Sequence, residues 1–281
     1  LQNSMVINPN TGALAIGESY GGGSKVWAIN PTFTSGNFNI ASATPTRLLN
    51  TGSGGMGAGR AIAIANDSNN YVVAAGLTTI YRGTTTGAQD SMTALPGTFN
   101  LPGNSNTANP GGQDRSADHS NLRVASNHAY FLDANGTLVR VTLASNNITT
   151  VNTGVMGRSL AIDASGNLYY AKSGSVIRYD GTANSSPIAG FDASAGENRS
   201  LQVSPNGSYL FVGNNSLGAT AYVYNLTNAT SVSIGGLDNP GAHCSYVDPA
   251  SGRFFFCSRN EGFYSWHPST GFTKLFNDDN M

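Results

Sequence analysis

The run Ser159-Leu160-Ala161-Ile162-Asp163-Ala164-Ser165-Gly166-Asn167-Leu168-Tyr169-Tyr170-Ala171-Lys172-Ser173-Gly174-Ser175-Val176-Ile177-Arg178-Tyr179-Asp180-Gly181 decides how the rest of the chain is read. The apolar residues Leu160 to Ile162 stop at Asp163-Ala164-Ser165-Gly166-Asn167, where short polar side chains and glycine favour a turn. Leu168 to Lys172 is a second β-prone run, Ser173-Gly174 a second turn, and Val176 to Tyr179 a third run. A fourth strand is expected near Pro187 to Gly190. The segment therefore reads as a small antiparallel sheet of consecutive strands.

The same frame returns about every 40 to 45 residues, the period of propeller blades. A first copy runs through Met5 to Pro9, Ala13 to Gly17 and Lys25 to Ile29, and a second through Ala61 to Ile64, Tyr71 to Ala74 and Thr79 to Tyr81. A third uses Leu122 to Val124, Ala129 to Leu132 and Leu138 to Val141. A fifth has Leu201 to Pro205, Tyr209 to Val212 and Ala221 to Tyr224, and a sixth has Ser245 to Pro249, Phe254 to Phe256 and Phe263 to Trp266. The expectation is an all-β fold: a six-bladed β-propeller of four-stranded antiparallel blades, one domain over 1–281, with blades near 1–56, 57–117, 118–156, 157–197, 198–241 and 242–281. A β-helix or a pair of sandwiches fits the strand content but not the period. Pro96 to Ser120, rich in Gly, Asn and Pro, reads as a long loop between the second and third blades.

Composition agrees. The 281 residues include 35 Gly, 32 Asn, 31 Ser and 25 Thr but only 3 Lys and 3 Glu, so the common exposed helix formers are nearly missing. Charged residues make up 10% and the net charge is −1, which excludes a nucleic-acid surface built from clustered cations. No run has the length and apolarity of a membrane span. The start at Leu1 reads as a trimmed product whose signal peptide has been removed. Nine Asn-x-Ser/Thr sequons, at Asn66, Asn135, Asn147, Asn184, Asn198, Asn206, Asn214, Asn225 and Asn228, only slightly exceed what so much Asn, Ser and Thr yields by chance.

Two alternating runs flank Pro249-Ala250-Ser251-Gly252, and pairing Asp248 with Arg253 sets Cys244 opposite Cys257. A disulfide there implies an oxidising, extracellular compartment; the alternative is two free buried thiols.

The fourth copy, with Asp163-Ala164-Ser165-Gly166-Asn167 before Leu168-Tyr169-Tyr170-Ala171, resembles the repeat of the NHL and SMP-30-like six-bladed β-propellers. The resemblance implies a shape. It does not carry over the family enzymes' metal-holding acids, since Ala171-Lys172-Ser173 stands where the family often has Ala-Asp-Ser.

Residues just before each blade's first strand surround one mouth of the channel. Arg60, Arg158 and Arg199 share that position in the second, fourth and fifth copies, His243 occupies it in the sixth, and His119 or Ser120 in the third. Such a mouth suits an anion, because Arg matches carboxylate, sulfate or phosphate with a planar fork; the alternative is that each Arg braces the fold against an Asp such as Asp118 or Asp163. No cofactor and no metal site is expected: the only ligand types near this rim are His119, His243, Asp118 and Glu197. Asp67, Asp133 and Asp163 read as turn formers. Trp27, Trp266, Tyr20, Tyr81, Tyr179 and Tyr224 fall mostly on third strands, where packing between blades explains them. The functional expectation is a secreted, non-catalytic propeller for binding or assembly, with a glycan or protein ligand and an anion site at Arg60, His119, Arg158, Arg199 and His243; self-assembly is open to it. The alternative is a lyase-like or hydrolase-like enzyme acting on acidic carbohydrate at the same mouth.

Overall fold

The computed structural model describes residues 2–8, 11–20, 23–30, 32–34, 37–39, 43–51, 61–64, 70–75, 79–97, 122–125, 127–132, 136–155, 160–172, 175–186, 188, 200–214, 217–238, 240, 245–259 and 261–276. Among them there is no helix. Contacts gather the chain into two compact units, Leu1–Thr153 and Gly154–Met281.

The first unit holds three four-stranded antiparallel sheets. Blade 1 is β1 (Gln2–Ile7), β2 (Leu14–Tyr20), β3 (Gly23–Ile29) and, beyond a small hairpin of β4 (Thr32–Thr34) and β5 (Asn37–Asn39), β6 (Thr46–Asn50). Blade 2 is β7 (Ala61–Ile64), β8 (Tyr71–Ala75), β9 (Ile80–Thr84) and β10 (Thr93–Ala94). Blade 3 is β11 (Leu122–Ala125), β12 (His128–Leu132), β13 (Leu138–Thr142) and β14 (Asn147–Asn152). The central strands of blade 2 are apolar on both faces because that blade is covered on both. Val26, Ala28 and Leu48 of blade 1 pack with Ile62, Val72, Ala74 and Met92 of blade 2. The opposite face of blade 2, with Val73, Ile80 and Leu95, packs on Val124, Phe131, Val139 and Val141 of blade 3.

The second unit repeats the plan. Blade 4 is β15 (Leu160–Ile162), β16 (Leu168–Lys172) and β17 (Ser175–Tyr179). Of the fourth strand expected near Pro187 to Gly190 only Ile188 is described; it bridges to Val176, and Asn184 bridges to Tyr179. Blade 5 is β18 (Ser200–Val203), β19 (Tyr209–Gly213), β20 (Ala219–Asn225) and β21 (Thr230–Leu237); blade 6 is β22 (Ser245–Val247), β23 (Phe254–Ser258), β24 (Gly262–His267) and β25 (Gly271–Phe276). Ala161, Tyr169 and Val176 bury against Leu201, Leu210 and Val212. Phe211, Ala221 and Val223 bury against Phe254, Phe256, Tyr264 and Trp266, with Phe211 and Phe256 ring centroids 4.9 Å apart. Aromatic pairs of this kind contribute beyond their buried area.

The hairpin before Cys257 has the expected register. Val247 faces Phe254, Ser245 faces Phe256, and the Asp248 amide donates to the Arg253 carbonyl at 2.9 Å. Cys244 lies outside the described residues, as do residues 98–120 of the long loop.

Candidate functional site

The five residues expected at the channel mouth, Arg60, His119, Arg158, Arg199 and His243, all lie outside the described residues, together with Asp118 and Glu197. Their described neighbours are informative. In the second unit Ser200 follows Arg199 and Ser245 comes two residues after His243, and the Ser200 and Ser245 hydroxyls are hydrogen-bonded to each other. The Gln202 carboxamide nitrogen donates to the Ser245 hydroxyl at 3.1 Å and to its carbonyl at 3.3 Å. The first strands of blades 5 and 6 thus start side by side, and the groups they share are hydroxyls and an amide, which suit uncharged donors and acceptors on a ligand.

In blade 3 the repeat position of Gln202 is taken by Arg123. Its guanidinium donates to the Leu122 carbonyl at 2.9 Å, and burial lowers its pKa to about 10, still protonated at neutral pH. Arg123 stands opposite Tyr130, and Tyr130 opposite Arg140, so the three share one face across β11, β12 and β13. His128, two residues before Tyr130 on the same face, is held below the usual imidazole value by burial and then by the Arg140 charge. A row of two guanidiniums, a phenol and a neutral imidazole results, and the sequence reading missed it. The available signal was a cation inside a strand otherwise made of apolar residues. In blade 2 the Arg82 guanidinium sits 5.5 Å from the centre of the Tyr71 ring, within cation–π range.

Asp163, Asp180 and Asp248 build loops. The Asp163 carboxylate, 7% exposed, accepts from the Ser165 and Asn167 amides at 2.9 Å each, from the Asn167 side chain at 2.8 Å and from the Tyr169 hydroxyl at 3.2 Å. Burial and that carboxylate push the Tyr169 phenol up to about 12. Asp180 caps its turn through the Ala183 amide at 2.8 Å and the Thr182 hydroxyl at 2.7 Å, bonds that bring it down to about 2. Asp248 is lowered by the Ser251 hydroxyl and the Ala250 amide, and Asp90 by the fork of Arg47, with contacts of 2.8 and 2.6 Å. Asp90, Asp180 and Asp248 are thus lowered, whereas a glycosidase's general acid needs its pKa raised. Asp163 is therefore the turn former expected; Asp67 and Asp133 lie outside the described residues. Among the described residues, no group of three His, Cys, Asp or Glu side chains is placed to hold a metal ion, and no helix is long and apolar enough to cross a membrane.

Trp266, Tyr179 and Tyr224 are buried, as the packing explanation requires. The exposed aromatics are different ones. Tyr246 is 58% and Phe276 59% exposed, while Phe263 stacks between Phe255, at 6.1 Å, and Phe276, at 6.2 Å.

No protein-family model matches the sequence, and no curated protein matches it. Solved structures match closely in shape. A chain of a mitotic checkpoint complex aligns over 98% of this chain and 83% of its own, with a TM-score of 0.63 and 12% identity. The WD40 β-propeller domain of Doa1 aligns over 96% and 81%, with a TM-score of 0.58 and 10% identity. The extracellular domain of a protein described as a one component system, from B. thetaiotaomicron, aligns over 99% of this chain but 33% of its own, with a TM-score of 0.56 and 14% identity. These likenesses concern the fold, and the fold they share with this chain is the β-propeller. With six antiparallel sheets, the chain is an all-β, six-bladed β-propeller.

Proposed function

We propose that this propeller is a secreted, non-catalytic module for binding or assembly, whose partner is a protein or a glycan. The observation that carries the reading is the use of its carboxylates: Asp163, Asp180 and Asp248 are tied into turns, so they build a scaffold on which hydroxyls and amides face the ligand. The outer strands β14 and β21 contain no charged residue and expose Thr149, Thr150, Thr230 and Ser231, a surface suited to partners that offer hydroxyl and amide groups. Arg60, His119, Arg158, Arg199 and His243 form the proposed anion site, supported by their shared repeat position and by the Ser200–Ser245 contact beside two of them. A Cys244–Cys257 disulfide belongs to the same reading and is supported by the Ser245–Phe256 register one step away. It places the chain in an oxidising, extracellular compartment. Kinship of shape with the NHL and SMP-30-like repeats rests on Asp163 to Ala171.

The test is an array of neutral and acidic glycans, probed with wild type and Arg158→Ala while the ultraviolet absorbance of unsaturated uronate is followed. The expected result is retention of an acidic glycan without product absorbance, and affinity about tenfold weaker in the variant. Product absorbance from wild type would replace this reading with a lyase. Equal affinities would remove the anion site.

A further inference from the structure

Nine sequons are present, and the function proposed above uses none of them. Six are described, and their surroundings differ sharply. Asn214 is 4% exposed and has no room for a modification. The Asn184 carbonyl oxygen takes the hydroxyl of the fully buried Tyr170 at 2.7 Å, and Asn184 also bridges to Tyr179, which ties this side chain to the blade. In Asn206-Gly207-Ser208 the asparagine is exposed, but its sequon hydroxyl, on Ser208, is half-buried, and the asparagine oxygen takes the hydroxyl of Ser204 outside the sequon at 2.7 Å. Asn225 is half-buried and pairs within its sheet with Thr230.

Asn147 and Asn228 stand apart from these four. Both are exposed, and both have an exposed threonine two residues on, Thr149 and Thr230. Both lie at the tip between the third and fourth strands of a blade, where Thr142 pairs with Asn147 in blade 3 and Asn225 with Thr230 in blade 5. Each tip turns through one left-handed residue, Asn146 with φ 59° and Ala229 with φ 56°, so the chain doubles back and presents its side chains to solvent. At Asn228 the geometry goes further. The Thr230 hydroxyl donates to the Asn228 carbonyl oxygen at 2.6 Å and the Thr230 amide to the same oxygen at 3.2 Å. The hydroxyl and the carboxamide of the sequon are thus already joined, and the contacts fall on the oxygen rather than on Nδ2.

We propose that, among the described sequons, Asn147 and Asn228 are acceptors of N-linked glycans, one at the same tip in each of two blades. The reaction joins Asn Nδ2 to the anomeric carbon of an oligosaccharide carried on a lipid pyrophosphate. The bond from that carbon to the pyrophosphate oxygen breaks, the pyrophosphate leaves with the electron pair, and one amide proton passes to a base. No electron is gained or lost. A neutral, flexible sugar at these tips extends a surface already made of hydroxyls and amides. The inference rests on the secreted reading, since the donor is met only on a secretory route.

Two measurements keep the two ideas apart. The full chain, led by a secretion signal, is expressed in a eukaryotic host, and glycopeptides are mapped for wild type, Asn147→Gln, Asn228→Gln and the double variant. The expected result is glycan on the Asn147 and Asn228 peptides of wild type, lost from the substituted position alone in each single variant and from both in the double, with all four proteins secreted at similar yield. Wild type without glycan on either of these two peptides, or glycan mapped only to other sequons, overturns the proposal. Thr230→Ser is expected to lower occupancy at Asn228 and Thr230→Ala to abolish it, with Asn147 unaffected in both. Secretion itself is read separately, from thiol labelling of the protein in its native source: two reactive thiols at Cys244 and Cys257 would remove the secreted reading whatever the glycopeptides show.

Discussion

Asp163 concentrates four hydrogen bonds on one buried carboxylate, two on each oxygen, and its Oδ2 lies 2.9 Å from where a Cβ on Gly207 of the next blade would stand. Gly207 has φ +69°, so this approach of two blade turns needs glycine on both counts. Asp163→Ala leaves two backbone amides, the Asn167 carboxamide and a phenol without their acceptor, and each buried loss of this kind costs about 1–3 kcal/mol. The expected outcome is a loss of about 3 kcal/mol in urea unfolding, with Asp163→Asn losing less because one oxygen remains; an unchanged midpoint in both would show that the turn holds itself. This residue was legible, because Asp before a Gly-Asn turn has a local reason to be there. Arg123 was not. What buries a guanidinium inside a strand is the packing around it, which one strand's sequence does not encode.

At the scale of elements, the frame of three runs and two turns anticipated the first three strands of every blade, since period-2 patterns and Gly, Asn and Asp turns are local signals. The small β4–β5 hairpin went unread. Phe33 and Phe38 face each other across it, but the segment around them is so rich in Thr, Asn and Ser that it reads as loop. The Ser200, Gln202 and Ser245 cluster was invisible for a related reason: in a chain with 31 Ser, no single serine stands out. Strand β12 carries a testable charge effect. His128 is held below 6.5 by burial and by Arg140, so protons bind the unfolded chain more tightly than the folded one. The stability it contributes is complete above pH 6.5 and is lost as the pH falls through and below that value. Thermal midpoints are expected to drop between pH 7.5 and 5.5, and His128→Gln to flatten that drop; identical slopes in the two proteins would assign the effect elsewhere.

For the molecule as a whole, the repeat period mattered more than any residue, because six copies of a sheet that cannot bury both faces alone must stack on one another. The function was less legible. The fold is shared with proteins at 10 to 14% identity, so it constrains shape and leaves the ligand to side chains that differ from one propeller to the next. Among the described residues, blade 4 differs from its five companions in having no continuous outer ladder. Where β13 and β20 are paired on both sides by full strands, the described outer fastenings of β17 are the bridges at Asn184 and Ile188. Local opening begins where the fewest bonds must break. Deuterium is therefore expected to enter the amides of 175–186 before those of β13 or β20, and limited proteolysis to make its first cut in 181–186; equal protection across the three strands would contradict this. A first cut there would leave β1 to β17 on one piece and β18 to β25 on the other, so the chain would be severed in its interior instead of shedding blades from its ends.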